Sequence, residues 1–369
     1  MKIQIKKDYF INELKKVTTV VGNNPINPIL SNILLVAEQN ELDIYGSNDL
    51  ISIKSVIKDN IKIEKTGKCL ISAKTFSGIV EKINEDEFEI EMIDATLRIK
   101  SDTYSCDLNT FNDADFYEVD FNESENKNIL NFEFIKNINS KLLKIIPANK
   151  LLDNSPFRGI LIDAERLEGF VEFIATDSFH LGYIKEPNNG QKYKFILNTE
   201  LIKLLYSNNK DNSNYELFLK DNRVLVKNGN TYFNCSLVEG EFPNVAKILE
   251  SPNQFFAKIK KNHLINAIEK AQILNESEAN SIIWLNISNN TLSISGRDID
   301  KGSSNETLNI ESDVNEEFKI SVNSTNLLNL IRNIDTETVV LEFTSALRPM
   351  IIKNDKPSNY VSLIMPMRN

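Results

Sequence analysis

Residues 6–17, KKDYFINELKKV, return 254 positions later as KKNHLINAIEKA at 260–271, with Lys6/Lys260, Lys7/Lys261, Ile11/Ile265, Asn12/Asn266 and Lys16/Lys270 identical. Such a repeat constrains the fold strongly, because a recurring unit must be built as many times as it occurs. Half that offset predicts a further copy, and NFEFIKNINSKLLKII at 131–146 sets Ile138, Leu142 and Ile145 against Phe10, Leu14 and Val17. A second helical stripe recurs at Phe76, Ile79, Val80 and Ile83, at Leu201, Leu204 and Leu205, and at Leu327, Leu330, Ile331 and Ile334, with Thr75, Thr199 and Thr325 as candidate caps. A strand ending in Asp recurs at Asp49, Asp177 and Asp298, and Cys106, Cys235 and Tyr360 to Leu363 occupy a fourth equivalent place. Four features in one order predict three related domains of roughly 123 residues, a common domain size. Polar breaks at NESENKN (122–128) and Ser251-Pro252-Asn253-Gln254 set their limits at 1–127, 128–252 and 253–369.

Within each repeat, short alternating strands such as Lys2 to Lys6, Ile51 to Ile57 and Phe88 to Met92 flank two helical stretches. This is an α+β pattern in which sheet dominates. With 41% hydrophobic and 25% charged residues the chain can bury a core in each domain. The start, MKIQIKKDYF, lacks an apolar signal region, and no stretch approaches the roughly 18 apolar residues that span a bilayer, so a cytoplasmic protein is expected. Cys69, Cys106 and Cys235 are odd in number and far apart, which predicts reduced thiols.

No catalytic constellation is legible. His180 and His263 stand alone, and there is no P-loop, GxGxxG or GxSxG pattern. Asp49, Asp177 and Asp298 occupy the same place in successive repeats, so they read as turn caps rather than as a carboxylate cluster. The expectation is a chain that is not an enzyme, with no catalytic residue, no metal site and no cofactor. A hydrolase or transferase would instead require a buried carboxylate cluster in one domain only.

The chain carries a net charge of −10, yet that charge is unevenly distributed. Windows over the six helical stretches, 6–16, 74–82, 136–150, 198–210, 258–270 and 324–333, carry +12 together, which leaves −22 for the remainder. Basic helices on an acidic body suit a surface facing a polyanion, while solvated lysine faces on ordinary helices are the alternative. Aromatic residues do not interleave with these lysines, so phosphate contact without sequence reading is the mode expected.

The ending Leu363-Ile364-Met365-Pro366-Met367-Arg368 resembles that of the bacterial DNA polymerase III beta subunit family, the sliding clamps. Asn27-Pro28-Ile29-Leu30-Ser31-Asn32-Ile33-Leu34-Leu35, Ile174-Ala175-Thr176-Asp177 and Glu241-Phe242-Pro243 resemble the same family at matching places, over essentially the whole chain. The resemblance implies a head-to-tail homodimer closing into a six-domain ring, with helices inside around double-stranded DNA and sheets outside. It implies a replication processivity factor that tethers the replicative polymerase and other partners. The alternative is a clamp-like paralogue or adaptor that binds partner peptides without encircling DNA.

The resemblance also assigns sites. The dimer interface would use Ile79 and Ile83 against Ile273 and Leu274. A pocket for short linear peptides from the polymerase, the clamp loader and other proteins would comprise Gly159, Thr176, Leu181, Pro243, Ile248, Leu363, Ile364, Met365, Pro366 and Met367, with Arg368 at its rim. Asp177-Ser178-Phe179-His180-Leu181 stands where Gly-His-Arg-Leu is usual, and Phe157 replaces a leucine. Lys74 and Lys247 match basic positions of the family; with Lys136, Lys141, Lys144, Lys260 and Lys261 they are the expected phosphate neighbours.

Overall fold

The computed structural model describes residues 1–22, 25–116, 119–146, 155–274, 281–298, 300–314 and 316–367. Its helices are α1 (Lys7–Thr18), α2 (Ala73–Lys82), α3 (Phe132–Asn137), α4 (Thr199–Asn208), the single turn α5 (Ala246–Leu249), α6 (Lys261–Gln272) and α7 (Ser324–Arg332). Helices α1 and α6, which carry the sequence repeat, are 12 residues each and bury equivalent positions: Phe10, Leu14 and Val17 on one, Leu264, Ile268 and Ala271 on the other. That spacing places an apolar stripe on one helix face. The copy beginning at α3 departs from this form, continuing as a π-helical turn over Ile138–Leu142 in which Leu143 N donates to Ile138 O, five residues back.

The expected threonine caps are displaced. Ser72 accepts from Thr75 N at the start of α2 and Asn323 from Asn326 N at the start of α7, while Thr199 is the first residue of α4. The reason is steric economy: strand and helix join directly, so the last strand residue is the one whose side chain reaches the free N–H groups.

Residues 1–135 with 200–237 form one compact unit, and 136–199 with 238–369 a second. All strand pairing is antiparallel in both. The first unit has a five-stranded sheet, ordered Ile61–Lys65, Lys2–Lys6, Glu87–Ile93, Thr96–Lys100, Ser105–Asn109, and an eight-stranded sheet. In the latter, Thr231–Ser236 pairs with Ile51–Ile57, so strands of the middle repeat extend a sheet of the first. The second unit has a four-stranded sheet with Gly302–Asn309 at its edge and a nine-stranded sheet, in which His180–Pro187 pairs with Tyr360–Ile364. The middle repeat thus belongs to both units, each of its halves completing a neighbour's sheet.

The core of the first unit locks helices to strand through aromatic edges: the Phe10 ring lies 5.8 Å from Phe76 and 5.5 Å from Phe88. Helix and sheet approach so closely that glycine is required in the strand beneath. A Cβ on Gly46 would sit 2.6 Å from Val17 Cγ1, and one on Gly296 would sit 2.4 Å from Ala271 O.

Candidate functional site

Strand alternation in the second unit turns Leu161, Ile174, Leu181, Ile196, Ile351 and Leu363 to one face, where with Val245 they form a buried apolar floor. Ile364, next to Leu363, is buried on the opposite face of the sheet and so drops out of the expected pocket. Above the floor the segment Ile364 to Met367 runs across the sheet end, held on both sides. Met365 N donates to Phe179 O at 2.7 Å, Met367 N donates to Ser321 O at 2.8 Å, and Ser321 Oγ donates to Met367 O at 2.8 Å. Met365, Pro366 and Met367 are half-buried, and Arg368 lies outside the described residues. An open cavity of about 570 Å³ lies beside this tail, walled by Ile248, Pro252, Leu347, Arg348, Ile351 and Met365. Pro243 lines a separate cavity of about 310 Å³ with Phe242 and Leu249.

The turn at Asp177 fixes one end of this groove. Asp177 Oδ1 accepts from Phe179 N at 2.9 Å and His180 N at 2.8 Å, and Thr176 Oγ1 donates to His180 O at 2.9 Å. Burial pushes the Asp177 carboxyl up, but His180, whose Nδ1 lies 2.8 Å away, and the two N–H groups hold it below its ordinary value. Ser178 adopts φ 77°, a conformation that favours glycine, and Phe179 stands 61% exposed. Asp298 caps its turn in the same way, but in the first repeat the cap is Asn48, which bonds Leu50 N and Ile51 N, rather than Asp49. Gly159 belongs to the floor's support: a Cβ there would lie 2.3 Å from Ile196 Cγ2. The walls at Leu347, Arg348 and Pro252 were not foreseen, since loop residues carry no period; Leu161 and Ile174 could have been found from strand alternation.

Of the expected phosphate neighbours, Lys74, Lys136, Lys144 and Lys260 are exposed. Lys141 and Lys261 make contacts within the chain. Lys141 pairs with Asp335 and lies 5.1 Å over the Tyr360 ring, and Lys261 Nζ donates to Ile334 O at 2.7 Å, just past the end of α7. Lys7, its counterpart in the first repeat, donates in the same way to Ile83 O. The Lys247 side chain lies outside the described residues. Of the expected interface residues, Ile273 is 71% exposed and Ile79 and Leu274 are half-buried, whereas Ile83, 3% exposed, is closed within the core of its own unit.

Burial pushes the thiols of Cys69 and Cys235 up to about 12, which leaves them protonated at neutral pH. Among the described residues no group of three or more His, Cys, Asp or Glu is placed to hold a metal, and no helix is long and apolar enough to cross a membrane.

In fold the chain is a sliding clamp. Over its full length it superposes on the beta subunit of the DNA polymerase of Streptococcus pyogenes with a TM-score of 0.90, at 21% identity and with 100% of both chains covered. It superposes equally fully on a sliding clamp from Pseudomonas aeruginosa bound to griselimycin, at 20% identity and a TM-score of 0.88. In sequence it is 25% identical to the beta sliding clamp of Mycoplasma pneumoniae, covering 100% of each chain. Residues 1–120 match the N-terminal domain and residues 247–368 the C-terminal domain of the DNA polymerase III beta subunit. The chain belongs to the DNA polymerase III beta subunit family.

Proposed function

We infer that the chain is a DNA replication processivity factor, a ring of two copies joined head to tail that encircles duplex DNA and tethers the replicative polymerase and other partners. It has no chemistry of its own. Its three repeats, 1–127, 128–252 and 253–369, serve as the domains of the ring.

The observation that carries this reading is the placement of open sheet edges. In both internal joints, the strand after the Asn48 or Asp177 turn pairs with the last strand of the next repeat: Ile51–Ile57 with Thr231–Ser236, and His180–Pro187 with Tyr360–Ile364. By the same rule the third repeat offers Gly302–Asn309 and the first offers Ser105–Asn109, each at the end of its sheet. Two copies satisfy both edges at once, and a head-to-tail contact that closes makes a ring rather than a filament. Ile79, Ile273 and Leu274 flank this joint as apolar contacts. Inside the ring Lys74, Lys136, Lys144 and Lys260, with Lys247, meet phosphates without reading bases.

The groove beside Met365 to Met367 takes short partner peptides, apolar anchors seated on the floor at Leu181 and Leu363. Griselimycin, the peptide-like ligand of the Pseudomonas aeruginosa clamp, is the natural probe of it. The ring is tested by loading the protein on nicked circular DNA and then linearising it. A sliding ring is lost from open ends and retained on circles; equal retention on both forms would refute encirclement.

A further inference from the structure

A charged cluster lies outside the residues assigned to the groove, where Arg166 and Glu172 line the 310 Å³ cavity with Pro243. Glu172 is fully buried, a costly place for a carboxylate unless its oxygens are filled. Arg166 fills them through Nε at 2.6 Å and Nη2 at 2.5 Å, and Tyr183 OH donates to the same carboxylate at 2.7 Å. Arg166 is itself placed by the chain around it: Asp163 Oδ1 accepts from the N–H groups of Glu165 and Arg166, both at 3.0 Å. This leaves one arm of the guanidinium, and Nη1 reaches Glu250 Oε1 at 2.6 Å.

Glu250 directly follows α5, the single turn that offers Ile248 to the 570 Å³ cavity and seats Leu249 against the floor. Ile248 N and Leu249 N both donate to Val245 O, the residue just before that turn. A helix so short cannot hold its own geometry in water, and its position must come from tertiary anchors. Val245 and Leu249 supply the apolar anchor. We propose that Arg166 is a positioning residue for the peptide groove: braced on buried Glu172, it holds Glu250 and thereby fixes the turn that presents Ile248. The proposal rests on the peptide reading of the groove.

The variant that isolates the tether is Glu250→Ala, because Glu250 is 63% exposed at its side chain and its removal leaves no buried charge unpaired. Arg166→Ala would strand Glu172 and risk the fold. Griselimycin is titrated into the full-length protein by calorimetry, with thermal unfolding in parallel. Glu250→Ala is expected to weaken binding about threefold to tenfold with an unchanged midpoint of unfolding, and Glu250→Gln, which keeps an acceptor, to recover part of the loss. In an Ile248→Ala background Glu250→Ala should add nothing, since the residue it positions is gone. Binding by Glu250→Ala within twofold of the wild type, or a loss fully additive with Ile248→Ala, would overturn the proposal while leaving the groove intact. Absence of griselimycin binding to the wild-type chain would overturn the groove reading, and the proposal with it.

Discussion

Lys261 shows how one residue can carry a repeat for a reason its charge does not reveal. Its ammonium donates to Ile334 O near the carbonyl end of α7, and Lys7 does the same at Ile83 O. A cation is favoured at a helix C-terminus, so the second lysine of each KK pair ties one helix start to the end of the next helix. Lys261→Met, which keeps the stem and removes the donor, should therefore lower stability by about 1.5–3 kcal/mol in denaturant unfolding and leave the salt dependence of DNA binding unchanged. Lys260→Ala should do the reverse, reducing the slope of log affinity against log salt by about one. Gly296 is read in the same way: Gly296→Ala drives a methyl into Ala271 O and should cost about 1–3 kcal/mol, whereas Gly78→Ala, with open space in α2, should gain about 0.5–1 kcal/mol. Asp177 supplies the pH dependence. Its carboxyl titrates lower in the folded chain than unfolded, so its stabilisation is complete above the unfolded value of about 3.9 and is lost as pH falls through the folded value. Asp177→Asn should be less stable at pH 7 and show a flatter loss of stability between pH 4 and pH 2 in thermal unfolding.

At the scale of elements, the C-terminal tail is a strand end clipped at two points, by Phe179 O and by Ser321. Ser321→Ala removes the bond from Oγ to Met367 O while leaving that from Met367 N to Ser321 O, so the tail should loosen without unfolding. Weaker griselimycin binding at unchanged thermal midpoint is the expected outcome, and amide hydrogen exchange at Met367 should rise. The turn at Ser178 with its exposed Phe179 lies at the same end of the groove. The motif Met365-Pro366-Met367 was legible because it is contiguous in the chain. Leu181 and Leu363 of its floor were expected with it, but Leu161, Ile174 and Ile351 were not, because they come from strands whose neighbours are set by long-range pairing.

For the molecule as a whole, the decisive feature is the pair of open edges at Ser105–Asn109 and Gly302–Asn309. If two copies join them, light scattering should give twice the 42.1 kDa chain mass. Ile273→Asp, at a position 71% exposed, should yield a folded chain of single mass because it places a charge in the joint without touching either core.

The helices and their turns are written in local periods: the 3–4 spacing of Phe10, Leu14 and Val17, and the Asp–N–H turns at Asp177 and Asp298. Such signals depend on residues a few positions apart, so sequence alone determines them. Which strands meet is a different matter, because pairing spans more than a hundred residues and depends on matching free edges. Only the tertiary structure divided the middle repeat between two units, gave Lys261 and Lys141 partners within the chain, closed Ile83 into a core and assembled the groove floor from distant strands. The joints follow from both: the repeat makes them equivalent, and the folded sheets place Ser105–Asn109 and Gly302–Asn309 each at a sheet end.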